Sequence, residues 1–138
     1  MSISALMWPF LVGFLVAQQE RPATIDADQV CSHPQGFVAP CLTVHGRLSL
    51  YSDNVPLRIW PLGSSRLLGV QTADSPFYLP VACRVPSELT RGLDLDTDIY
   101  ADFVVRPLTP KRSGVMQRVC IAAAQRVRVV HHVAHGSQ

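Results

Sequence analysis

The chain has 138 residues, twelve basic and ten acidic side chains, a formal net charge of +2 and four cysteines. That is one domain's worth of length, and so small a net charge gives no argument for nucleic acid by itself. None of the cysteines forms a Cys-x-x-Cys pair, which excludes a thioredoxin-type motif and a paired zinc knuckle and suits two disulfides in an oxidising compartment.

Residues 3–17 are nearly all apolar and carry no charge, and Gln18-Gln19-Glu20 follows at once. At ~1.5 Å per residue the run covers roughly 22 Å, short of the ~30 Å hydrocarbon core of a bilayer. Residues 1–17 therefore read as a signal peptide cut near Ala17, which makes the mature protein periplasmic or secreted. The alternative is a leader retained as a membrane anchor, against which Pro9 and Gly13 also argue. Residues 18–40 show no periodicity and contain Pro22, Pro34, Gly36 and Pro40, so they read as an irregular segment tied down at Cys31 and Cys41.

From residue 43 the apolar positions fall on every second residue. Val44, Leu48 and Leu50 share a face with Gly46, while Thr43, His45, Arg47, Ser49 and Tyr51 share the other. This is the period of a strand with one buried face, and a central Gly suits a bend where a side chain would meet a neighbouring backbone. Ser52-Asp53-Asn54 supplies turn chemistry, and Val55, Leu57 and Ile59 alternate with Pro56, Arg58 and Trp60 in a return strand. Residues 66–70 predict a short third strand, and residues 71–86, with three prolines, a largely irregular connection. A short helix is expected over 87–93, with Glu88 near its start and Gly92 near its end. Residues 99–106 alternate again, a turn follows at 107–114, and 115–130 is the longest strand candidate, kinked near residues 122–124.

Three meandering strands, a helix-bearing connection and a returning hairpin are the layout of a five-stranded OB-like barrel, which also removes exposed sheet edges. The predicted fold is thus mostly β, an OB-like barrel over residues 41–130 with one short helix and a flexible tail at 131–138. A small β-sandwich is the alternative.

The run Cys41-x-Thr43-Val44-His45-Gly46-Arg47-Leu48, with Arg58-Ile59-Trp60, Arg66-x-Leu68-Gly69-Val70, Asp102-Phe103, Pro107-x-Thr109-Pro110 and Met116-x-x-Val119-Cys120, resembles a group of secreted bacterial proteins with no assigned activity. The likeness spans residues 41–124 and implies an exported protein. In that group a Cys stands just before the Pro of the Pro-x-Thr-Pro turn. Here Arg106 holds the position, which leaves Cys83 as the replacement partner for Cys120. Four cysteines allow three connectivities. The expected one is Cys31–Cys41, closing a loop that Pro34, Gly36 and Pro40 can turn back, with Cys83–Cys120. Cys120 is out of phase with Val119 and Ile121, so it leaves the core face and can meet the 71–86 connection.

Candidate chemistry is sparse. Asp94-Leu95-Asp96-Thr97-Asp98 opens like a calcium loop, but Ile99 stands where Gly is needed and Val105 where a bidentate Glu is needed. His131-His132-x-x-His135 has the spacing for a metal on a helix but no helical pattern and no intervening Glu. His45 beside Gly46-Arg47 lacks any nucleophile in an elbow motif. No catalytic residue, metal or cofactor is therefore expected. What remains is the outward face: Arg47, Arg58, Arg106, Arg118, Arg126 and Arg128 interleaved with His45, Tyr51, Trp60 and Tyr100, interrupted by Asp102. From it the candidate ligand-binding set is His45, Arg47, Arg58, Trp60, Tyr100 and Arg118, since basic groups with aromatic platforms are what oligonucleotide-binding barrels use.

The function expected from the sequence is that of an exported, disulfide-stapled, non-catalytic binding or envelope module. Its partner would be an anionic polysaccharide or an envelope protein, with nucleic acid disfavoured and the membrane engaged only through an uncleaved leader. The alternatives are an OB-type binder of anionic glycan or nucleic acid through the Arg/aromatic face, and a hydrolase.

Overall fold

The computed structural model describes residues 3–5, 9–13, 23–74, 79 and 81–132. The expected cleavage point at Ala17 and the third tail histidine, His135, lie outside them. Among the described residues no helix is long and apolar enough to cross a membrane.

The alternating stretch forms the long strand β2 (Leu42–Leu50), with β1 (Ala23–Ile25) before it in the chain. After it come β3 (Leu57–Pro61), β4 (Leu68–Val70), β5 (Val81–Cys83), the helix α1 (Ser87–Thr90), β6 (Thr97–Pro107) and β7 (Gln117–His131). Five strands close a ring in the order β2-β3-β4-β7-β6 and back to β2. Every pairing is antiparallel except β4 with β7, which is parallel. A meander of three strands, a helix, and a hairpin whose last strand lies parallel to the third is the OB arrangement. The ring is uneven, because a three-residue β4 faces a fifteen-residue β7.

The inward phase of each strand fills the barrel. Leu48 sits opposite Ile59 on β3 and Ile99 on β6, and Phe103, Val105, Val119 and Ile121 complete the core with them. Leu89 of α1, fully buried, plugs one end. Each such side chain contributes roughly 1.5–3 kcal/mol relative to an exposed one. Gly46 is the first of the positions, 46–49, at which β2 pairs with both neighbours, and it lies opposite Pro61 and Ala101. A Cβ there would stand 2.8 Å from Ile59 Cγ2 and 2.8 Å from the Trp60 carbonyl oxygen. The bend expected at Gly46 is thus a close approach of two backbones.

Two segments read as irregular are more ordered than expected. Residues 23–25 form β1, which runs parallel to β5 in the 71–86 connection, and a turn of 3-10 helix follows at Ala27–Gln29. These pieces build a second core outside the barrel wall, where Ile25, Val30, Val81 and Cys83 pack on Leu108 and Cys120, with Phe37 against them. Both expected disulfides hold it: Cys31–Cys41 with Cα atoms 5.5 Å apart and Cys83–Cys120 with 5.7 Å. The helix is shorter than expected, ending at Thr90 instead of residue 93. The first two residues of the expected flexible tail are ordered: His131 belongs to β7, and the His132 amide donates to the Asp96 carbonyl at 2.6 Å.

The kink expected near residues 122–124 is a bulge: Val104 pairs with Ala123 and Val105 with Ile121, which leaves Ala122 unpaired in the ladder. A second irregularity lies between the Tyr100–Arg128 and Asp102–Gln125 pairs. There Arg126 takes a left-handed backbone, φ 53°, which a non-glycine residue rarely adopts.

Candidate functional site

The outer face of the barrel carries a row of side chains set by strand register. Arg47 on β2 lies opposite Trp60 on β3 and Tyr100 on β6, and Tyr100 lies opposite Arg128 on β7. The row alternates aromatic and cation, and the groups touch: the Arg47 guanidinium sits 4.8 Å from the Trp60 ring centre and that of Arg128 5.0 Å from Tyr100. A guanidinium over an aromatic face is held by the ring's quadrupole. Partial burial opposes the charge on Arg47, but hydrogen bonds to the Tyr100 and Tyr51 hydroxyls and the field of Asp98 outweigh it, and its pKa lies above the ordinary value. Trp60 is fixed in turn by its indole N–H, which donates to the Ser64 carbonyl at 2.7 Å.

One residue pair further along on each side, β6 presents a carboxylate. Asp102 accepts from His45 Nδ1 at 2.6 Å and is ion-paired with Arg126. Asp98 accepts from the Ser49 hydroxyl at 2.5 Å and from His132 Nε2. The two acids are largely covered by these partners, while the His45, His132 and Arg126 side chains stay mostly exposed. The hydrogen bond from His45, then that from Arg126, holds the Asp102 carboxyl below its ordinary pKa. A carboxyl with a depressed folded-state pKa stabilises the fold above its unfolded value of about 3.9 and loses that contribution as pH falls through the folded value. Asp102→Asn should therefore lower the melting temperature at pH 7, and the gap from the parent protein should close below about pH 4. A gap that stays constant down to pH 2 would show that charge on Asp102 is not what matters.

Of the six expected ligand residues, His45, Arg47, Trp60 and Tyr100 thus share one continuous surface. Arg58 lies at its edge, stacked 4.4 Å over Tyr51 and ion-paired with Asp53, so it braces the 51–56 turn. Arg118 stands apart from the row. It is buried on β7 across from Gly69 of β4 and donates to Gln71 Oε1 at 2.7 Å, and burial pulls its pKa down. Arg106, which the strand phase also points outward, is covered by the second core. Its guanidinium lies 4.3 Å over the Phe37 ring and donates to the carbonyls of Val30, His33 and Ala39 at 2.9, 2.6 and 3.2 Å.

Ser49 and Asp98 also belong to the face. Ser49 is signalled only by the outward phase of its strand, and Asp98 stands in the sequence as the last acid of the calcium-like run. The calcium-like loop is committed internally: Asp94 Oδ1 accepts from the Asp96 amide at 2.9 Å and from the Thr97 hydroxyl at 2.8 Å. His131 Nδ1 lies 3.1 Å from that same hydroxyl, and His132 is on Asp98. Among the described residues no group of three or more His, Cys, Asp or Glu side chains is placed to hold a metal. His45 has an acid beside it, as a general base would, but on an open sheet face. The concavities at residues 65–67 with 111–116, and at 26–28, 84–88 and 122–124, lie elsewhere. No protein-family model, curated protein or solved structure matches the chain.

Proposed function

We propose that this protein is an exported, non-catalytic binding module whose ligand is an anionic polymer, an envelope polysaccharide before any nucleic acid. The observation that carries the reading is the Trp60–Arg47–Tyr100–Arg128 row, in which strand register sets cations and rings alternately across four strands. Stacking occupies one flat side of a guanidinium, and the exposed Arg128 can turn its N–H edge to carboxylate or sulfate oxygens while the half-buried Arg47 adds positive field beside it. The signal-like leader, the two disulfides and the likeness to secreted bacterial proteins support export; N-terminal sequencing of native material should then begin near Gln18.

Heparin affinity tests the ligand class. The purified protein should be retained at low salt, and its affinity should weaken roughly tenfold between about 50 and 200 mM salt, as for other multi-arginine contacts. Arg47→Ala with Arg128→Ala should abolish retention while the fold survives. Salt-independent retention, or retention unaffected by the double substitution, would remove the arginine row from the function.

A further inference from the structure

We infer that the outer surface over β4 is a second binding site, built for a single-chain lipid with an anionic headgroup. Its floor is Gly69, the centre of β4, which lies opposite Arg58 of β3 and Arg118 of β7. A Cβ on Gly69 would stand 2.9 Å from Met116 Sδ and 3.1 Å from both Arg118 Cδ and Val55 Cγ1. The missing side chain is thus what lets the 51–56 turn, which carries Val55, and the 109–116 strap, which carries Met116, converge over the sheet. Together Val55, Thr109, Pro110, Val115 and Met116 wall a trough of about 460 Å³. Val115 is 61 % exposed there.

A second concavity of about 660 Å³ shares Arg112, Val115 and Met116 with the trough and adds Arg66 and Lys111. Among the described residues, no acidic side chain lines either space. The volumes are those of ordinary small-molecule sites. An apolar slot bordered by Arg112, with Arg66 and Lys111 in the neighbouring concavity, complements a molecule with an apolar chain at one end and a negative group at the other.

Two other ligand classes fit poorly. Among the described residues, neither space is lined by an aromatic ring on which a base or a sugar would stack. An extended peptide needs main-chain partners, and the polar atoms of Thr109 in the wall are taken. The Thr109 hydroxyl accepts from the Arg118 amide at 2.8 Å, and the Thr109 carbonyl accepts from Gln117 Nε2 at 3.0 Å. The site uses none of the residues of the Trp60–Arg47–Tyr100–Arg128 row and stands independently of it.

The test is a calorimetric titration of the purified protein with dodecyl phosphate below its micelle concentration. Inorganic phosphate and the neutral dodecyl maltoside are the comparison ligands. Dodecyl phosphate should bind at least about tenfold more tightly than either, because only it offers both the chain and the charge. Lys111→Glu with Arg112→Glu, and separately Val115→Asp, should each weaken it about tenfold. All three residues are exposed, so these variants should fold normally. Arg47→Gln should leave the titration unchanged. Equal binding of inorganic phosphate or of the maltoside, insensitivity to the strap variants, or a loss in Arg47→Gln matching theirs would each overturn the proposal.

Discussion

Gly46→Val should cost the domain about 3 kcal/mol, the upper end for an overpacked site, and lower its melting temperature by roughly 10–20 °C. The size of the effect follows from what the new side chain would meet. One of the two atoms 2.8 Å from its Cβ is the Trp60 carbonyl oxygen, which belongs to the backbone of the paired strand and cannot rotate away. The other, Ile59 Cγ2, belongs to a fully buried core residue. Relief therefore requires β2 and β3 to separate at a position where β2 also pairs with β6, and three strands feel one added side chain. Gly46→Ala should show a smaller loss of the same sign. Thermal unfolding by circular dichroism is the measurement; an unchanged midpoint in Gly46→Val would mean that the two backbones are not in contact.

Arg106→Ala should cost about 2–3 kcal/mol, since one guanidinium serves three main-chain carbonyls and charged hydrogen bonds of this kind are worth more than neutral ones. The loss should be local. Amide exchange should accelerate across residues 30–39, whose carbonyls lose their donor, while the amides of β6 within the barrel stay protected. Arg106→Lys should not restore protection, because a single ammonium on a flexible stem cannot reproduce a planar fork that reaches Val30, His33 and Ala39 together. Uniform acceleration across the barrel would instead show that Arg106 supports the whole fold.

What could be read from the sequence was the barrel wall. Alternation at residues 43–51 and 99–106 marks β2 and β6, Gly46 marks the close approach of β2 to β3, and the phase of Cys120 against Val119 and Ile121 sends its sulfur to the outside, where Cys83 meets it. The second layer was not legible, for a physical reason. A period of two distinguishes the inside of a barrel from its outside, but it is blind to whether the outside faces water or more protein. Arg47, Arg106 and Arg118 all occupy outward positions. One stacks in an open row, one is sealed under the 30–39 segment, and one is buried against Gln71. The covering pieces are themselves too short to show a period: β1 and β5 have three residues each, and their parallel pairing joins parts of the chain far apart in sequence. The face proposed to bind polyanions was legible to the same extent, in its composition but not in its membership, since only register shows that Trp60, Arg47, Tyr100 and Arg128 line up while Arg118 does not.

The two irregularities in β7 bear on how copies of this protein behave at high concentration. Beyond Val119, among the described residues, β7 has a strand neighbour on one side only, so its far end presents an unpaired edge with half-exposed Val127 and Val129. A flat edge of that kind templates the addition of a foreign strand and so seeds aggregation. Here the bulge at Ala122 and the left-handed turn of the backbone at Arg126 break the regular spacing of N–H and C=O groups along the edge. Arg126 and Arg128 add like charges that an incoming copy would have to meet. Both features oppose the addition of a foreign strand along the open edge of the longest strand of the barrel.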